Sequence, residues 1–435
     1  MDSSDTPILP ALQVIVERLK VCNELNLENI TFVCVQHFLF TTVDLIKSLI
    51  MLGAKPSNIH IMGKIYSTCP KVVEQLIKIG VVYYPSSHPQ KFGHFNYYFN
   101  KDIISMWEGV SVALANTQSN TIIVLDDGGK CITNIPRTLS DNYKVFAVEQ
   151  TSSGVAQIKK NNKATLPVVN VAYSAAKQLL ESPMIAKAVV KKLDQFLSVY
   201  DTHLICGVAG LGVIGRAVAQ KLLSLNHRVI VYDKLEGKYN SLNSVERVNS
   251  PQLLFQQADY IFGCAGEDIS ISLDVNKLQG IKNLISCSSQ DIEFQSILKI
   301  IQDNPPNNVS NVLDNVDYTL NNGTIKIFRG GYPINLDNSG ESVPALEIQL
   351  TRGLLLGGIV QAIAQLIQEP KQKFKQYMLL PKIQKLVVQC LIDSQPNHAF
   401  DDLLVTNFLE EEWIKNNSSG EYVDNVIVSK YLVTE

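Results

Sequence analysis

The stretch of sequence that decides the fold runs Leu204-Ile-Cys-Gly-Val-Ala-Gly210-Leu-Gly212-Val-Ile-Gly215. Its first six residues are mostly apolar, as in a buried strand, and the amphipathic run that follows to Leu225 predicts a helix. Between the two, Gly210 permits a tight turn, Gly212 lets the backbone approach a phosphate, and Gly215 allows close packing of helix on strand. The stretch therefore predicts the phosphate loop of a Rossmann domain.

The residues around this loop predict which dinucleotide it binds. A strand, Arg228–Tyr232, ends in Asp233, which stands 18 residues beyond the last glycine. Asp233 is expected to accept hydrogen bonds from the adenosine ribose and to repel a 2′-phosphate, which favours NAD over NADP. The N–H groups of Val213 and Ile214 at the helix start would face the pyrophosphate. Two alternatives stay open: a glycine-rich turn that binds nothing, and an Asp233 that is only a solvated acid beside Lys234.

Composition describes an ordinary globular chain. Of 435 residues, 46% are hydrophobic, and 38 basic against 41 acidic side chains give a net charge of -3. Such a chain can bury enough apolar surface to fold, and its length suggests two or three domains. The near-neutral charge argues against a protein that binds nucleic acid by neutralising phosphates.

Neither a membrane nor a metal is expected as a partner. The opening residues lack a secretory pattern, and the apolar stretch Gly353–Ile367 contains two glutamines, so it predicts a buried helix rather than a membrane span. The eight cysteines form no C-x-x-C pair and no cluster with histidine. We expect free thiols in a reducing cytoplasm.

From residue 30 onward, short β-branched runs alternate with amphipathic helical patterns, which is typical of parallel sheets with crossover helices. The alternation restarts after Ser182-Pro183 and continues through the glycine loop. The predicted fold class is therefore α/β, with two doubly wound parallel-sheet (Rossmann-like) domains and a cleft between them. The Asn- and Pro-rich stretch Asp303–Asn322 predicts loops, and Ala345–Ile367 and Ile383–Ile392 predict helices.

Sequence blocks outside the glycine loop resemble the adenosylhomocysteinase (S-adenosylhomocysteine hydrolase) family. In chain order they are Gln36-His37-Phe38, Leu125-Asp126-Asp127-Gly128-Gly129, Glu149-Gln-Thr151-Ser152-Ser153-Gly154-Val155, Leu166-Pro-Val-Val-Asn170-Val171 running to Lys177, and Leu380-Pro381-Lys382. With the loop they extend over roughly residues 30 to 390. The resemblance marks the chain as a divergent member of that family.

The resemblance implies a discontinuous substrate-binding domain at 1–184 plus 344–390, an NAD-binding Rossmann domain at 185–343 and a divergent C-terminal tail at 391–435. It also implies a hydrolase of one-carbon metabolism that acts on S-adenosylhomocysteine or a related nucleoside thioether. In that chemistry tightly bound NAD oxidises the 3′-hydroxyl, and elimination and rehydration follow. The expected partners are a nucleoside-type small molecule and further copies of the chain, in a dimer or tetramer.

The same resemblance assigns roles to individual residues. Lys177 would accept the hydroxyl proton, paired with Glu181, which stands where the family has an aspartate. Asp127 would act on C4′, and His37 would lie near the leaving group. The residues matched to contacts with NAD are Thr151, Ser152, Ser153 and Asn335.

Each of these residues could instead have a structural role in its own segment. Lys177 could be a solvated helical lysine, Asp127 could cap the Gly128-Gly129 turn, and His37 could be a satisfied strand-end histidine. The hydroxyl residues and Asn335 could instead cap helices and turns.

The chain departs from the family at residues that would read the substrate. These departures are Thr41, Gln150, Ser182 and Ser289, together with a tail in which only Lys430 and Tyr431 match. A site that loses several such groups takes a different substrate or none. Two alternatives therefore accompany the main expectation: a catalytically inactive NAD-dependent regulatory or binding homologue, and NAD-dependent oxidation of a different nucleoside or sugar.

Overall fold

The computed structural model describes residues 8–21, 25–87, 95–161, 166–194, 204–242, 244–303, 305–306, 309–368, 375–395, 402–408 and 410–419. The chain divides into two compact units. Unit 1 contains Met1–Ser87, Phe99–Glu181 and Asn338–Glu435, and unit 2 contains His88–Tyr98 and Ser182–Asp337. Helices of the region predicted as a tail, 391–435, group with unit 1, while Lys430 and Tyr431 lie outside the described residues.

The strands, in chain order, are β1 (Ile30–Phe38), β2 (Ile59–Thr68), β3 (Val82–Tyr84), β4 (Thr121–Asp126), β5 (Lys144–Glu149), β6 (Val168–Asn170), β7 (Ile205–Ala209), β8 (Arg228–Tyr232), β9 (Glu246–Arg247), β10 (Tyr260–Gly263), β11 (Gly280–Ser286), β12 (Val316–Leu320), β13 (Gly323–Ile327) and β14 (Gln376–Met378).

The α-helices are α1 (Pro10–Val21), α2 (Phe40–Met51), α3 (Pro70–Ile79), α4 (Phe95–Ala115), α5 (Lys130–Thr133), α6 (Arg137–Asn142), α7 (Ser152–Lys160), α8 (Ser182–Lys191), α9 (Val213–Ser224), α10 (Pro251–Gln257), α11 (Gln295–Asp303), α12 (Ala345–Gln368), α13 (Pro381–Ser394), α14 (Asp402–Asn407) and α15 (Glu411–Asn417). Short 3₁₀ turns occupy Pro56–Asn58, Glu236–Ser241, Val275–Lys277 and Phe328–Gly331, and a π-helical turn occupies Lys177–Glu181.

Unit 1 is built on a parallel sheet of seven strands in the order β14-β6-β5-β4-β1-β2-β3. Its central strands β1, β4 and β5 are buried over nearly their whole length, as expected of a parallel sheet covered by helices on both faces. The carboxyl ends of these strands meet at one edge of the sheet. Side chains that follow the strands are therefore brought together there.

Helix α12 is the core helix of unit 1. By length and composition its stretch Ala345–Ile367 could cross a membrane, but 94% of its most apolar window is buried inside the protein. A Cβ at Gly357 would stand 2.4 Å from Ile383 of α13, so the glycine allows the two helices to approach closely. The prediction of a buried helix in this region is confirmed.

Unit 2 carries a second sheet of seven strands in the order β12-β13-β11-β10-β7-β8-β9. Its parallel part has the strand order of a dinucleotide-binding fold, with the switch point between β7 and β10. One apolar cluster that includes Val208 and Phe262 and another that includes Ile261 and Leu284 provide its core. The predicted fold class, two doubly wound parallel-sheet domains, is confirmed.

One part of the predicted organisation is wrong. The stretch Asp303–Asn322 was expected to form loops only, whereas β12 lies within it and pairs antiparallel with β13. The hairpin turn falls at Asn321 and Asn322. Because β12 gains its hydrogen bonds from β13 at the sheet edge, a strand of five residues is sufficient there.

Candidate functional site

The glycine loop of unit 2 has the geometry that its sequence predicts. Gly210 follows β7 with a φ of 91°, a left-handed conformation that favours glycine, and its N–H donates to the carbonyl of Tyr232 at 2.8 Å. A Cβ at Gly215 would stand 1.8 Å from the carbonyl oxygen of Gly210. Both glycines are therefore required by the protein's own backbone.

Gly212 differs from its two neighbours in the motif. A Cβ built there meets nothing within 4 Å, so the protein itself does not require a glycine at this position. Gly212 precedes α9, and the first N–H groups of that helix, on Val213 and Ile214, have no acceptor within the helix. Open space beside unpaired helical N–H groups fits the pyrophosphate of a dinucleotide.

Asp233 stands directly after β8, beside the loop. Its carboxylate accepts hydrogen bonds from the N–H groups of Leu211 at 2.6 Å and Leu235 at 2.8 Å. Lys234 is turned to another partner, because its Nζ pairs with Glu267 at 2.6 Å on the surface. Asp233 therefore holds the glycine loop in place, and its recognition of a ribose stays a prediction.

Asn335 belongs to the same unit as the glycine loop. It is 5% exposed and follows Pro333, which bridges to Ser286 at the carboxyl end of β11. Unit 2 therefore contains the loop, Asp233 and Asn335 on the ends of its parallel strands. If NAD binds as predicted, these residues would hold its pyrophosphate, its ribose and its carboxamide.

In unit 1, four polar side chains meet at the carboxyl edge of the sheet. His37 lies on β1, Lys64 lies on β2, and Asp127 and Gln150 directly follow β4 and β5. Asp127 is their common partner: Lys64 Nζ and Gln150 Nε2 both donate to its carboxylate, and His37 Nε2 lies 3.4 Å from Oδ2. The structure thus brings together two of the predicted catalytic residues, His37 and Asp127.

The partners of Asp127 fix its charge. Burial alone would raise the pKa of Asp127, but Lys64 and His37 outweigh burial and lower it to about 2. Burial lowers the pKa of His37 to about 3, so its ring is neutral near pH 7. The ring Nδ1 lies 2.6 Å from the hydroxyl oxygen of Ser67. Asp127 is consequently a carboxylate beside a neutral imidazole.

The alternative role considered for Asp127, capping the glycine turn, is wrong. Glu149 performs that role, since its carboxylate accepts from Gly128 N at 3.1 Å and from Gly129 N at 2.9 Å. It also accepts from the backbone N–H and the hydroxyl of Thr151. Burial raises the pKa of Glu149 well above its usual value, and the four donors satisfy its buried oxygens.

The hydroxyl triplet Thr151-Ser152-Ser153 begins α7 in unit 1. Thr151 is the N-cap residue of that helix, and its Oγ1 accepts from Gly154 N at 3.0 Å. Ser152 and Ser153 are exposed. Thr151 therefore has the local capping role that was considered for it, and contact of the triplet with NAD stays a prediction.

Lys177 and Glu181 form an ion pair across the π-helical turn at Lys177–Glu181. Their side chains are 14% and 12% exposed, so the pair is mostly buried but still reachable from solvent. The alternative of a solvated surface lysine is therefore wrong. A lysine and a carboxylate in direct contact can together take up and return one proton.

The sequence did not single out Lys64 or Arg352. Lys64 is completely buried against Asp127, and Arg352 of α12 is 3% exposed. Both residues lie in otherwise apolar segments, and this pattern could have identified them. A charged residue in such a segment is buried, and a buried charge needs a partner. Thr41, one of the departures from the family pattern, accepts a hydrogen bond from Arg352.

Comparison with known proteins gives one family match. Residues 182–267 match the family model of the D-isomer specific 2-hydroxyacid dehydrogenase NAD binding domain. Two uncharacterized proteins of Mycobacterium tuberculosis, from strains CDC 1551 / Oshkosh and H37Rv, are each 28% identical over 354 residues, or 80% of this chain and 67% of theirs.

Two of the solved structures that are similar to part of the chain are 2-hydroxyacid dehydrogenases. One is 2-hydroxyacid dehydrogenase from Ketogulonicigenium vulgare Y25, with 16% identity, 58% of this chain and 86% of that chain covered, and a TM-score of 0.34. The other is the NAD complexed form of D-isomer specific 2-hydroxyacid dehydrogenase from Lactobacillus delbrueckii ssp. bulgaricus, with 13% identity, coverage of 63% and 95%, and a TM-score of 0.33.

The resemblance to adenosylhomocysteinases is wrong, because the family model that matches the glycine loop is that of the 2-hydroxyacid dehydrogenases. The implied hydrolase activity on S-adenosylhomocysteine and the role in one-carbon metabolism are corrected with it. A Gly-x-Gly-x-x-Gly loop occurs in enzymes of many chemistries, so the loop indicates the cofactor and not the reaction. The short blocks outside the loop match adenosylhomocysteinases, but the residues that would read the substrate do not. Thr41, Gln150 and Ser289 stand where that family has other groups.

The prediction that NAD is the cofactor is confirmed. The tight turn at Gly210 and the open space at Gly212 fit a dinucleotide, and the family match names the domain type. Unit 2 contains an NAD-binding domain at residues 182–267, and NAD is the cofactor of this protein.

Proposed function

We propose that the protein is an NAD-dependent dehydrogenase that oxidises a hydroxyl group of a small molecule. The observation that carries the proposal is the joining, in one chain, of an NAD-binding unit and a second parallel-sheet unit with buried proton-handling groups. Those groups lie at the carboxyl ends of the strands, where parallel-sheet enzymes bind their ligands. The family match at residues 182–267 supports redox chemistry, because that family consists of dehydrogenases.

Oxidation of an alcohol requires the removal of a proton and of a hydride. Bound NAD would supply the acceptor for the hydride that leaves the carbon carrying the hydroxyl group. The hydroxyl proton passes to the Lys177–Glu181 pair, whose side chains are 14% and 12% exposed and whose lysine is close enough to lower the pKa of Asp127. Asp127, held anionic by Lys64, and the neutral His37 orient the substrate. Asp233 and Asn335 are our candidates for contacts with NAD in unit 2.

A second candidate function is an NAD-dependent binding protein without catalysis. The observation that favours it is that both oxygens of Asp127 are engaged within the protein: Lys64 donates to one and Gln150 to the other. A carboxylate that is held in a buried ion pair by its own protein is a poor acid/base group. Under this hypothesis the protein would recognise its ligand in the NAD-bound state.

An oxidation assay tests the proposal. The purified protein, saturated with NAD, is incubated separately with hydroxy acids, sugars and nucleosides, and NADH formation is followed by its absorbance. We expect NADH and an equal amount of ketone with one of these classes, and no homocysteine from S-adenosylhomocysteine. Saturated NAD binding without NADH from any class, and without oxidation of added NADH by the matching ketones, would support the binding protein instead.

A further inference from the structure

Two cysteines directly follow neighbouring strands of unit 2. Cys264 comes after β10, and Cys287 comes after β11. The parallel ladder of these strands pairs Gly263 with Ser286, and it continues by one more bond, from Cys287 N to the carbonyl of Gly263 at 2.8 Å. Facing residues of neighbouring strands are about 5 Å apart. Disulfides join Cα atoms about 4.4–6.8 Å apart, so the backbone places the two cysteines at a separation that a disulfide can bridge.

The side chains of the two cysteines lie on the same face of the sheet. Both pack against the apolar cluster that includes Val208 and Phe262, and the side chain of Cys264 is hydrogen-bonded to that of Cys287. Both residues are partly exposed, whereas the other five cysteines in the described part of the chain are buried. Within that part, these are the two thiols that a small molecule in solution can reach.

Cys264 also contacts the glycine loop. Its N–H donates to the carbonyl of Ala209, the last residue of β7, at 2.8 Å. A Cβ at Gly215 would stand 3.2 Å from the Cβ of Cys264, and a Cβ at Gly210 would stand 2.7 Å from the carbonyl carbon of Cys264. A displacement of this cysteine therefore moves atoms against which the loop packs.

We infer that Cys264 and Cys287 form a redox-modification site, at which a small disulfide converts the two thiols to one intramolecular disulfide and thereby weakens NAD binding. The inference does not depend on the dehydrogenase reaction, because it requires only the NAD-binding loop of unit 2.

The coupling to NAD follows from the order of the strands. A disulfide draws the two sulfur atoms together to about 2 Å. Because β10 lies between β11 and β7, closing the bond pulls Cys264 toward β11 and away from β7, which carries the glycine loop. NAD binds to the undistorted loop, so NAD binding and disulfide formation oppose each other. By reciprocity, NAD should also protect the two thiols from oxidation.

Thiol–disulfide exchange with a low-molecular-weight disulfide, such as oxidised glutathione, supplies the chemistry. The sulfur of Cys287 attacks the small disulfide, so a new S–S bond forms as the old one breaks, and one glutathione leaves with the Cys287 proton. The sulfur of Cys264 then displaces the second glutathione from Cys287, and the Cys264 proton passes to that leaving group. The protein loses two electrons and two protons, and oxidised glutathione gains them as two thiols.

The hydrogen bond between the two cysteines sets the order of these steps. This bond, together with burial, raises the pKa of Cys264 well above its usual value, so Cys264 keeps its proton near neutral pH. The nucleophile in disulfide exchange is the thiolate. Cys287 is therefore the attacking residue, and Cys264 resolves the mixed disulfide.

The test uses the full chain at neutral pH, incubated with oxidised glutathione in the presence and absence of saturating NAD. Peptide mass spectrometry locates each disulfide, and calorimetric titration measures the NAD affinity before oxidation, after it and after reduction by dithiothreitol. We expect a Cys264–Cys287 disulfide that lowers NAD affinity by about tenfold, reversibly, and that forms about tenfold more slowly with NAD bound. Cys206, buried in β7, is the internal control and should stay reduced.

Two serine variants test the order of the steps. In Cys264→Ser the mixed disulfide cannot be resolved, so glutathione should accumulate on Cys287. In Cys287→Ser the remaining thiol of the pair should react about tenfold or more slowly than Cys287 does in the first variant. Absence of a Cys264–Cys287 disulfide in the treated wild type, or its formation with unchanged NAD affinity, overturns the inference.

Discussion

The ammonium group of Lys64 and the carboxylate of Asp127 form an ion pair that is sealed from solvent, with side chains 0% and 1% exposed. Gln150 donates to the same carboxylate. A buried charge of this kind is stable only while its partner is present. The pair therefore links the stability of unit 1 to the geometry of the candidate site, because the same Asp127 also lies beside His37.

Removal of one partner should destabilise unit 1 strongly. We expect Lys64→Met to lower the free energy of unfolding by about 3–5 kcal/mol, because Asp127 is then left as an uncompensated buried charge. Both tryptophans, Trp107 and Trp413, lie in unit 1, so denaturant unfolding followed by tryptophan fluorescence measures this unit.

The control for Lys64→Met is Lys55→Met. Lys55 pairs with Glu28 at 3.0 Å on the surface, where both side chains are about half exposed. Loss of an exposed pair should cost at most about 1 kcal/mol. Equal effects of the two variants would contradict the importance of the buried pair.

Gly212→Ala should separate cofactor binding from folding. The new methyl group meets no protein atom within 4 Å, so the unfolding temperature should stay close to that of the wild type. It would occupy the space in which the pyrophosphate approaches the backbone, so we expect NAD affinity to fall by about tenfold or more. Calorimetric titration with NAD measures the change.

Gly237→Ala is the matched control, because a Cβ there also meets nothing within 4 Å and the residue lies outside the glycine motif. This variant should bind NAD as the wild type does. Unchanged NAD affinity in Gly212→Ala would mean that the cofactor does not approach this glycine.

Glu293 should make unit 2 less stable as the pH rises. Burial raises the pKa of this carboxyl from 4.5 to about 7, and its Oε2 has no hydrogen-bond partner among the described residues. Because the folded pKa lies above the unfolded one, the stability that Glu293 contributes is complete below about pH 4.5. It is lost as the pH rises through about 7.

We therefore expect Glu293→Gln to gain stability relative to the wild type between about pH 5 and pH 8, by roughly 1–3 kcal/mol. The measurement is denaturant unfolding followed by circular dichroism at several pH values, analysed as the difference between the two proteins. A difference that is constant with pH would show that Glu293 does not titrate in this range.

Most of the fold could be predicted from local sequence patterns. β8 begins and ends at the predicted residues, Arg228–Tyr232, and α9 ends at Ser224, one residue before the predicted Leu225, because each is a continuous apolar or amphipathic run. β12 was missed since its pairing with β13, rather than its own composition, makes it a strand. Predictions failed where the structure of a segment depends on the strand or helix that it packs against rather than on its own sequence.

The candidate site was predicted only in part, for the same reason. His37 and Asp127 were singled out through the family resemblance, and the structure brings them together because β1 and β4 are neighbouring parallel strands. Lys64 and Arg352 were missed, because each lies inside an otherwise apolar strand or helix and nothing in the local sequence indicates its partner, Asp127 or Thr41. Sequence shows that a charge is buried, whereas only the fold shows which group compensates it.

The central claim is that unit 1 removes a proton while NAD takes a hydride, and a single-turnover experiment with Lys177→Gln tests it most directly. The variant and the wild type, both saturated with NAD, are mixed with the hydroxylated compound that the oxidation assay identifies, and Lys191→Gln, an exposed lysine, is the control. The account predicts that NADH forms about a hundredfold or more slowly in Lys177→Gln, at unchanged NAD affinity, and at the wild-type rate in the control. NADH formation at the wild-type rate in Lys177→Gln would contradict it.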